Sequence, residues 1–73
     1  MEITVTGKIE KKGFGFGVWA LVTTEGTTYE LYQPPPELER EIDSIVVDGI
    51  IRDDVMTMAD IGQVIEVKSF RIN

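Results

Sequence analysis

The sequence predicts a mainly β fold with five strands and one short helix. Apolar and polar residues alternate with a period of two along several segments, and glycine or proline separates those segments. With 73 residues, the chain has material for one compact core. We therefore interpret residues 1–73 as a single domain.

The first strand is predicted from an alternation at the N-terminus. Ile3, Val5, Gly7 and Ile9 alternate with polar residues, so the strand has one buried and one wet face. Three glycines within residues 13–17 then bend or break the chain.

A β-hairpin is predicted from the segment "VWALVTTEGTTYELY" at residues 18–32. Two runs rich in β-branched and aromatic residues flank Glu25-Gly26, where glycine supplies the positive φ of a tight turn. The alternation predicts these inward residues: Trp19, Leu21, Tyr29 and Leu31. It places Glu30 and Tyr32 on the outward face.

A short helix is predicted at residues 36–42. The prolines at 34–36 end the preceding strand because proline cannot donate to a ladder. Pro36 suits the first turn of a helix, and Leu38 and Ile42, four residues apart, would then pack together on the sheet.

Two further strands are predicted in the C-terminal half. The segment "SIVVDGIIR" places alternate residues on one inward side: Ile45, Val47, Gly49 and Ile51. The segment "QVIEVKSFRI" forms the last strand. Residues 53–62 between them fit either a ragged strand leading to a turn at Gly62 or a loop with a helical turn.

The order of these elements indicates a particular small barrel. Five strands with a helix between the third and the fourth match the OB-fold, a Greek-key barrel. An SH3-like barrel is the competing fold, but it needs no helix at residues 36–42. The predicted architecture is a small five-stranded OB-like Greek-key barrel with one short helix between strands 3 and 4.

A family resemblance covers most of the chain. Residues 5–32 contain "VTGKIEKKGFGFGVWALVTTEGTTYELY", and residues 45–70 contain "VVDGIIRDDVMTMADIGQVIEVKSF". Together they resemble a group of small bacterial OB-fold-like domains of uncharacterised function. The resemblance implies the fold and carries over no catalytic residues.

Residues 11–16, "KKGFGF", are also similar to the strand on which cold-shock proteins stack RNA bases. Such stacking contributes ~1–3 kcal/mol for each base. The surrounding sequence departs from that family, because Lys8-Ile9-Glu10 replaces a Trp-Phe pair and residues 29–32 replace a Phe-x-His-Phe signature. We therefore favour a glycine-rich connection whose phenylalanines cover one end of the barrel.

Charge weighs against nucleic acid as the main ligand. The formal net charge is -6, and residues 25–60 hold ten acids against two arginines, whereas phosphate binding depends on Lys and Arg. The candidate nucleic-acid contacts are Lys11, Lys12, Phe14, Phe16, Trp19 and Tyr32. For the two lysines we expect ion pairs with the aspartates of a neighbouring loop: Asp53, Asp54 and Asp60.

Catalytic, metal and cofactor sites are not predicted. The chain has no His and no Cys, which removes the commonest nucleophiles, bases and transition-metal ligands. The spacing of the loop aspartates matches no EF-hand. Without a visible signal peptide or an apolar run of ~20 residues, we expect a cytoplasmic protein with no membrane segment.

Val46, Ile50 and Phe70 suggest an outward apolar strip on the last two strands. Contiguous exposed apolar residues usually mark an interface, here with a protein partner or a second copy of the chain. The sequence therefore predicts a non-enzymatic binding or protein-interaction module. The alternative is a weak single-stranded nucleic-acid binder that uses the aromatics around the connection between strands 1 and 2.

Overall fold

The computed structural model describes residues 1–13 and 17–73, and it is mainly β, with five strands in one sheet and almost no helix. The strands are β1 (Glu2–Lys12), β2 (Val18–Thr23), β3 (Thr28–Leu31), β4 (Ile42–Ile51) and β5 (Gln63–Ile72). The five predicted strands are thus confirmed. Within the described ranges, no helix has the length and apolar character needed to cross a membrane.

The sheet closes on itself. Every strand pairs with two others, and the order β1-β2-β3-β5-β4 returns to β1. The pairing of β3 with β5 is parallel and the others are antiparallel. This parallel contact covers three residue pairs, from Tyr29 opposite Gln63 to Leu31 opposite Ile65.

Gly7 is a residue of β1 that pairs with strands on both sides. It lies opposite Thr23 of β2 and Ile45 of β4, and the register with β4 shifts between Gly7 and Ile9. A Cβ atom at Gly7 would lie 2.2 Å from the backbone oxygen of Val22. The close approach of β1 and β2 therefore requires glycine at this position.

The β2–β3 hairpin forms as predicted. Gly26 has a φ of 91°, and its amide donates to the carbonyl oxygen of Thr23 at 2.9 Å. The inward prediction for this pair is confirmed for all four residues, since Leu21 and Leu31 are buried and Trp19 and Tyr29 pack against the core.

The helix predicted at residues 36–42 is wrong in length and type. Only Pro36–Leu38 form a 3₁₀ turn, which has no side-chain cap, and Ile42 is the first residue of β4. A single uncapped helical turn contributes little stability on its own. Ile42 instead pairs with Ile9 of β1 as part of the sheet. Leu38 and Ile42 are both buried as predicted, so the spacing identified core residues and not a helix.

Aliphatic side chains from every element form the core. The inward prediction for β4 is confirmed, because alternate residues from Ile45 to Ile51 are buried. The buried cluster contains Ile9, Leu21, Leu31, Leu38, Ile42, Ile45, Val47, Ile51 and Ile65.

Residues 52–62 form the β4–β5 loop, which contains neither strand nor helix. The amide of Arg52 donates to the carbonyl oxygen of Val64 at 2.8 Å and closes the base of the loop. Asp60 adopts a positive φ of 51° shortly before β5 begins. The predicted loop is therefore confirmed for this segment, whereas the ragged strand and the helical turn are wrong.

Candidate functional site

The two lysines of the predicted nucleic-acid site lie at the end of β1. Lys11 Nζ is 5.3 Å from the ring centroid of Trp19, its cross-strand partner on β2. Lys12 Nζ is 4.0 Å from Oε2 of Glu10. The hairpin therefore brings Lys11 and Trp19 together, while Phe14 and Phe16 lie outside the described residues.

The expected ion pairs between these lysines and the loop aspartates are wrong for the residues that the structure describes. Asp54 pairs with Arg52 instead, with Nε to Oδ1 and Nη2 to Oδ2 both at 2.9 Å. The Nη1 atom of Arg52 binds the carboxylate of Glu66 on β5. Asp54 is only two residues from Arg52, so this pair forms within the loop and does not involve the lysines of β1.

Tyr32 lies beside Arg52, the arginine that pairs with Asp54 and Glu66. The guanidinium carbon of Arg52 lies 5.1 Å from its ring centroid, within the range of a cation–π contact. Tyr32 and Trp19 thus contact two different cations, Arg52 and Lys11. The structure does not show the two rings as one stacking platform.

The Arg52–Asp54 pair changes the pKa values of both groups. The hydrogen bonds from Arg52 lower the pKa of Asp54 to about 2, from an ordinary value of 3.8. In return, the hydrogen bonds to Asp54 and then Glu66 raise the pKa of Arg52. Arg52 is therefore a permanent cation that keeps the loop carboxylate ionised.

We expect the pKa of Asp54 to be about 2 in the wild-type protein and to rise towards its ordinary value of 3.8 in the Arg52→Gln variant, because the hydrogen bonds from Arg52 are the largest cause of the lowering. Since the folded pKa is lower than the unfolded one, ionised Asp54 stabilises the fold above its ordinary pKa. This contribution disappears as the pH falls through the folded pKa. Carboxyl carbon chemical shifts against pH measure both values, and equal pKa values in the two proteins would contradict the pairing.

The β4–β5 loop lies against the outer face of β3 and β5. The hydroxyl of Thr57 donates to the carboxylate of Glu30, which is only 6% exposed. Val64, which lies opposite Glu30 in the register, is also buried. A Cβ atom at Gly62 would be 2.1 Å from the backbone oxygen of Thr28, so the end of the loop touches β3. Glu30 points outward as predicted, but the loop removes it from solvent.

Met56 and Met58 project from this loop into solvent, with exposed fractions of 96% and 102%. Thr57 between them is directed towards Glu30. A pocket of about 280 Å³ adjoins Met56, and its lining includes Asp53, Val55, Asp60 and Val64. The loop therefore presents flexible apolar side chains beside exposed carboxylates.

The predicted apolar strip is divided in the structure. Val46 and Ile50 are half-buried on β4, with Asp48 between them. Their cross-strand neighbours are polar: Glu2, Thr6, Glu66 and Arg71. Phe70 lies opposite Val47 and packs against the core. The three residues consequently do not share one surface.

Sequence reasoning missed the residues that define the loop surface. The alternation places Glu30 on the outward face but does not show that the loop covers it, and Thr57, Met56 and Met58 lie in a segment without periodicity. The available signal was compositional, namely two methionines separated by one residue within an acidic segment. Across residues 1–13 and 17–73, no three acidic side chains converge to hold a metal ion.

Comparison of the chain with protein-family models, with curated proteins and with solved structures gives no match.

Proposed function

We propose that the chain is a non-enzymatic OB-like Greek-key barrel that serves as a protein-interaction module, with the β4–β5 loop as its binding surface. The strand order supports the architecture, because β4 lies beside β1 of the β1-β2-β3 meander, which is the Greek-key arrangement. In OB-folds, the face of strands 2 and 3 and the loops 1–2 and 4–5 bind ligands.

The observation that carries this proposal is the exposure of Met56 and Met58. The loop that bears them is held against the strands by the hydrogen bond from Thr57 to Glu30 of β3 and by the pair of Arg52 with Glu66 of β5. An ordered surface loses less entropy on binding than a disordered one. Methionine adapts its shape to a partner, which suits it to protein-binding surfaces.

The charges support a protein partner with basic side chains. Asp53, Asp54 and Asp60 are exposed on the same loop, and they repel a phosphate backbone. The outer face of β3 carries the buried carboxylate of Glu30 beneath Thr57. Both features disfavour nucleic acid at the place where OB-folds usually bind it.

Site-specific photo-cross-linking tests the proposal. A benzophenone amino acid is placed at position 58, and in a control chain at position 25, an exposed residue of the β2–β3 turn. We expect a discrete protein adduct in cells of the source organism from position 58 and not from position 25. A Met56→Ser change in the same chain should weaken partner binding at least about tenfold, since burial of one methionine contributes roughly 1.5–3 kcal/mol. Identical adducts from both positions, or none from position 58, would contradict the proposal.

Nucleic-acid binding is a second candidate because Lys11 lies over Trp19 on the β1–β2 hairpin. Proteins that bind single-stranded nucleic acid combine aromatic rings with nearby cations, and the ring of Trp19 is only partly buried. Titration of ¹⁵N-labelled protein with twelve-residue oligo(dT) and oligo(U) at low salt tests this candidate. It requires saturable shifts at Lys11, Trp19 and Tyr32 that a Lys11→Glu change removes. Unshifted amides would eliminate it and leave the protein-interaction proposal intact.

A further inference from the structure

More than half of β5 has an open edge. β5 pairs with β3 only at residues 63–65, and the last hydrogen bond of this contact runs from the amide of Tyr32 to the carbonyl oxygen of Ile65. Across the part of the chain that the structure describes, residues 66–72 pair with β4 alone. An unpaired strand edge is a template for another strand.

The sequence after β3 explains why this edge stays open. Gln33 has a positive φ of 44°, and it is followed by three prolines at residues 34–36. Prolines have no amide hydrogen and cannot continue a ladder beside β5. The chain then turns into the 3₁₀ helix, so β3 ends while β5 continues.

A groove of about 540 Å³ separates the proline segment from this edge of β5. Val67 and Phe70, which line it, also pack against the hydrophobic core. Gln33 and Pro35 line the opposite side. A groove along a free edge accepts alternate side chains of an extended segment, while the edge supplies backbone hydrogen bonds.

The charges along the edge indicate which segment fits. Lys68 and Arg71 are exposed, and among the described residues neither forms an ion pair. Glu66, the only acidic residue of β5, is bound to Arg52. This edge is therefore locally basic on a chain whose net charge is -6.

We propose that the edge of β5 at residues 66–72 binds an extended, acidic segment of a partner protein as an added strand. Apolar residues of that segment enter the groove over Val67 and Phe70, and alternating carboxylates face Lys68 and Arg71. This inference goes beyond the role proposed for the β4–β5 loop. The two proposals can be tested separately, because the loop at residues 52–62 and the edge at residues 66–72 share no residue.

A peptide titration with a matched backbone control tests the inference. The probe is the blocked peptide Ser-Glu-Val-Glu-Ile-Glu-Val-Glu-Ser, added to the ¹⁵N-labelled full chain. The first control has the same side chains with its amides methylated along the bonding edge, and the second has Lys in place of Glu. We expect saturable shifts and slower hydrogen exchange at residues 66–72 with the probe alone. The Lys68→Glu, Arg71→Glu double variant should raise its Kd at least about tenfold.

Four results would overturn the inference. Equal binding of the methylated peptide would exclude strand addition, and equal binding of the Lys peptide would exclude charge selection. Shifts at residues 66–72 that appear on raising the protein concentration without peptide would assign the edge to a second copy of the chain. Absence of any shift at these residues with the probe would also refute it. Cross-linking at position 58 remains an independent readout in each case.

Discussion

Replacement of Ile65 by alanine is expected to lower the free energy of unfolding by about 2–5 kcal/mol. Ile65 is 0% exposed, and it lies opposite Leu31 of β3 and Ile51 of β4. It therefore packs where the parallel contact closes the sheet. A chain of this length has a total stability of roughly 4–11 kcal/mol, so the loss takes a large share of it.

Urea unfolding, followed by the fluorescence of Trp19, measures this effect. Ile72→Ala is the matched control, because it makes the same change on the same strand at a residue that is 39% exposed. We expect the control to change stability by about 0.5 kcal/mol or less. Equal losses in the two variants would show that Ile65 is not at the centre of the core.

Replacement of Gly7 by alanine is expected to destabilise the protein by about 3 kcal/mol. An alanine usually gains ~0.4–1 kcal/mol over glycine by restricting the unfolded chain. At Gly7 the added Cβ would meet the backbone oxygen of Val22 at 2.2 Å. Because that atom belongs to the β1–β2 ladder, the strands have to separate, and the steric cost exceeds the entropic gain.

Thr4→Ala is the control for this change, since Thr4 is an exposed residue of β1. Its substitution should alter the free energy of unfolding by about 0.5 kcal/mol or less. A Gly7→Ala protein as stable as the wild type would mean that β1 and β2 do not approach each other as closely as described.

The strands were predictable because their inward residues alternate and their turns contain glycine or proline. The hairpin around Gly26 and the last strand at residues 63–72 are clear examples. The helix was not predictable, because the pair Leu38 and Ile42 has a spacing that fits helical packing as well as two separate core positions. Because Ile42 pairs with β1, the two residues occupy separate core positions and do not share a helix.

The candidate site was less predictable than the fold. An alternating pattern assigns Glu30 to the outward face correctly, but it does not show that a loop 27 residues later in the chain covers that face. Nor does it separate Phe70 from Val46, because the register of β5 against β4 shifts between Asp48 and Gly49. Both features depend on contacts between distant segments that local patterns do not encode.

The most direct test of the account is the conformation of the β4–β5 loop in solution, since its surface carries the proposed function. NMR relaxation and NOE spectra of the labelled chain measure it. We predict backbone order parameters near ~0.85 for residues 53–62, together with NOEs between the side chains of Thr57 and Glu30. We also predict no long-range NOEs to the methyl groups of Met56 and Met58. Order parameters below ~0.6 without a Thr57–Glu30 contact would contradict the account.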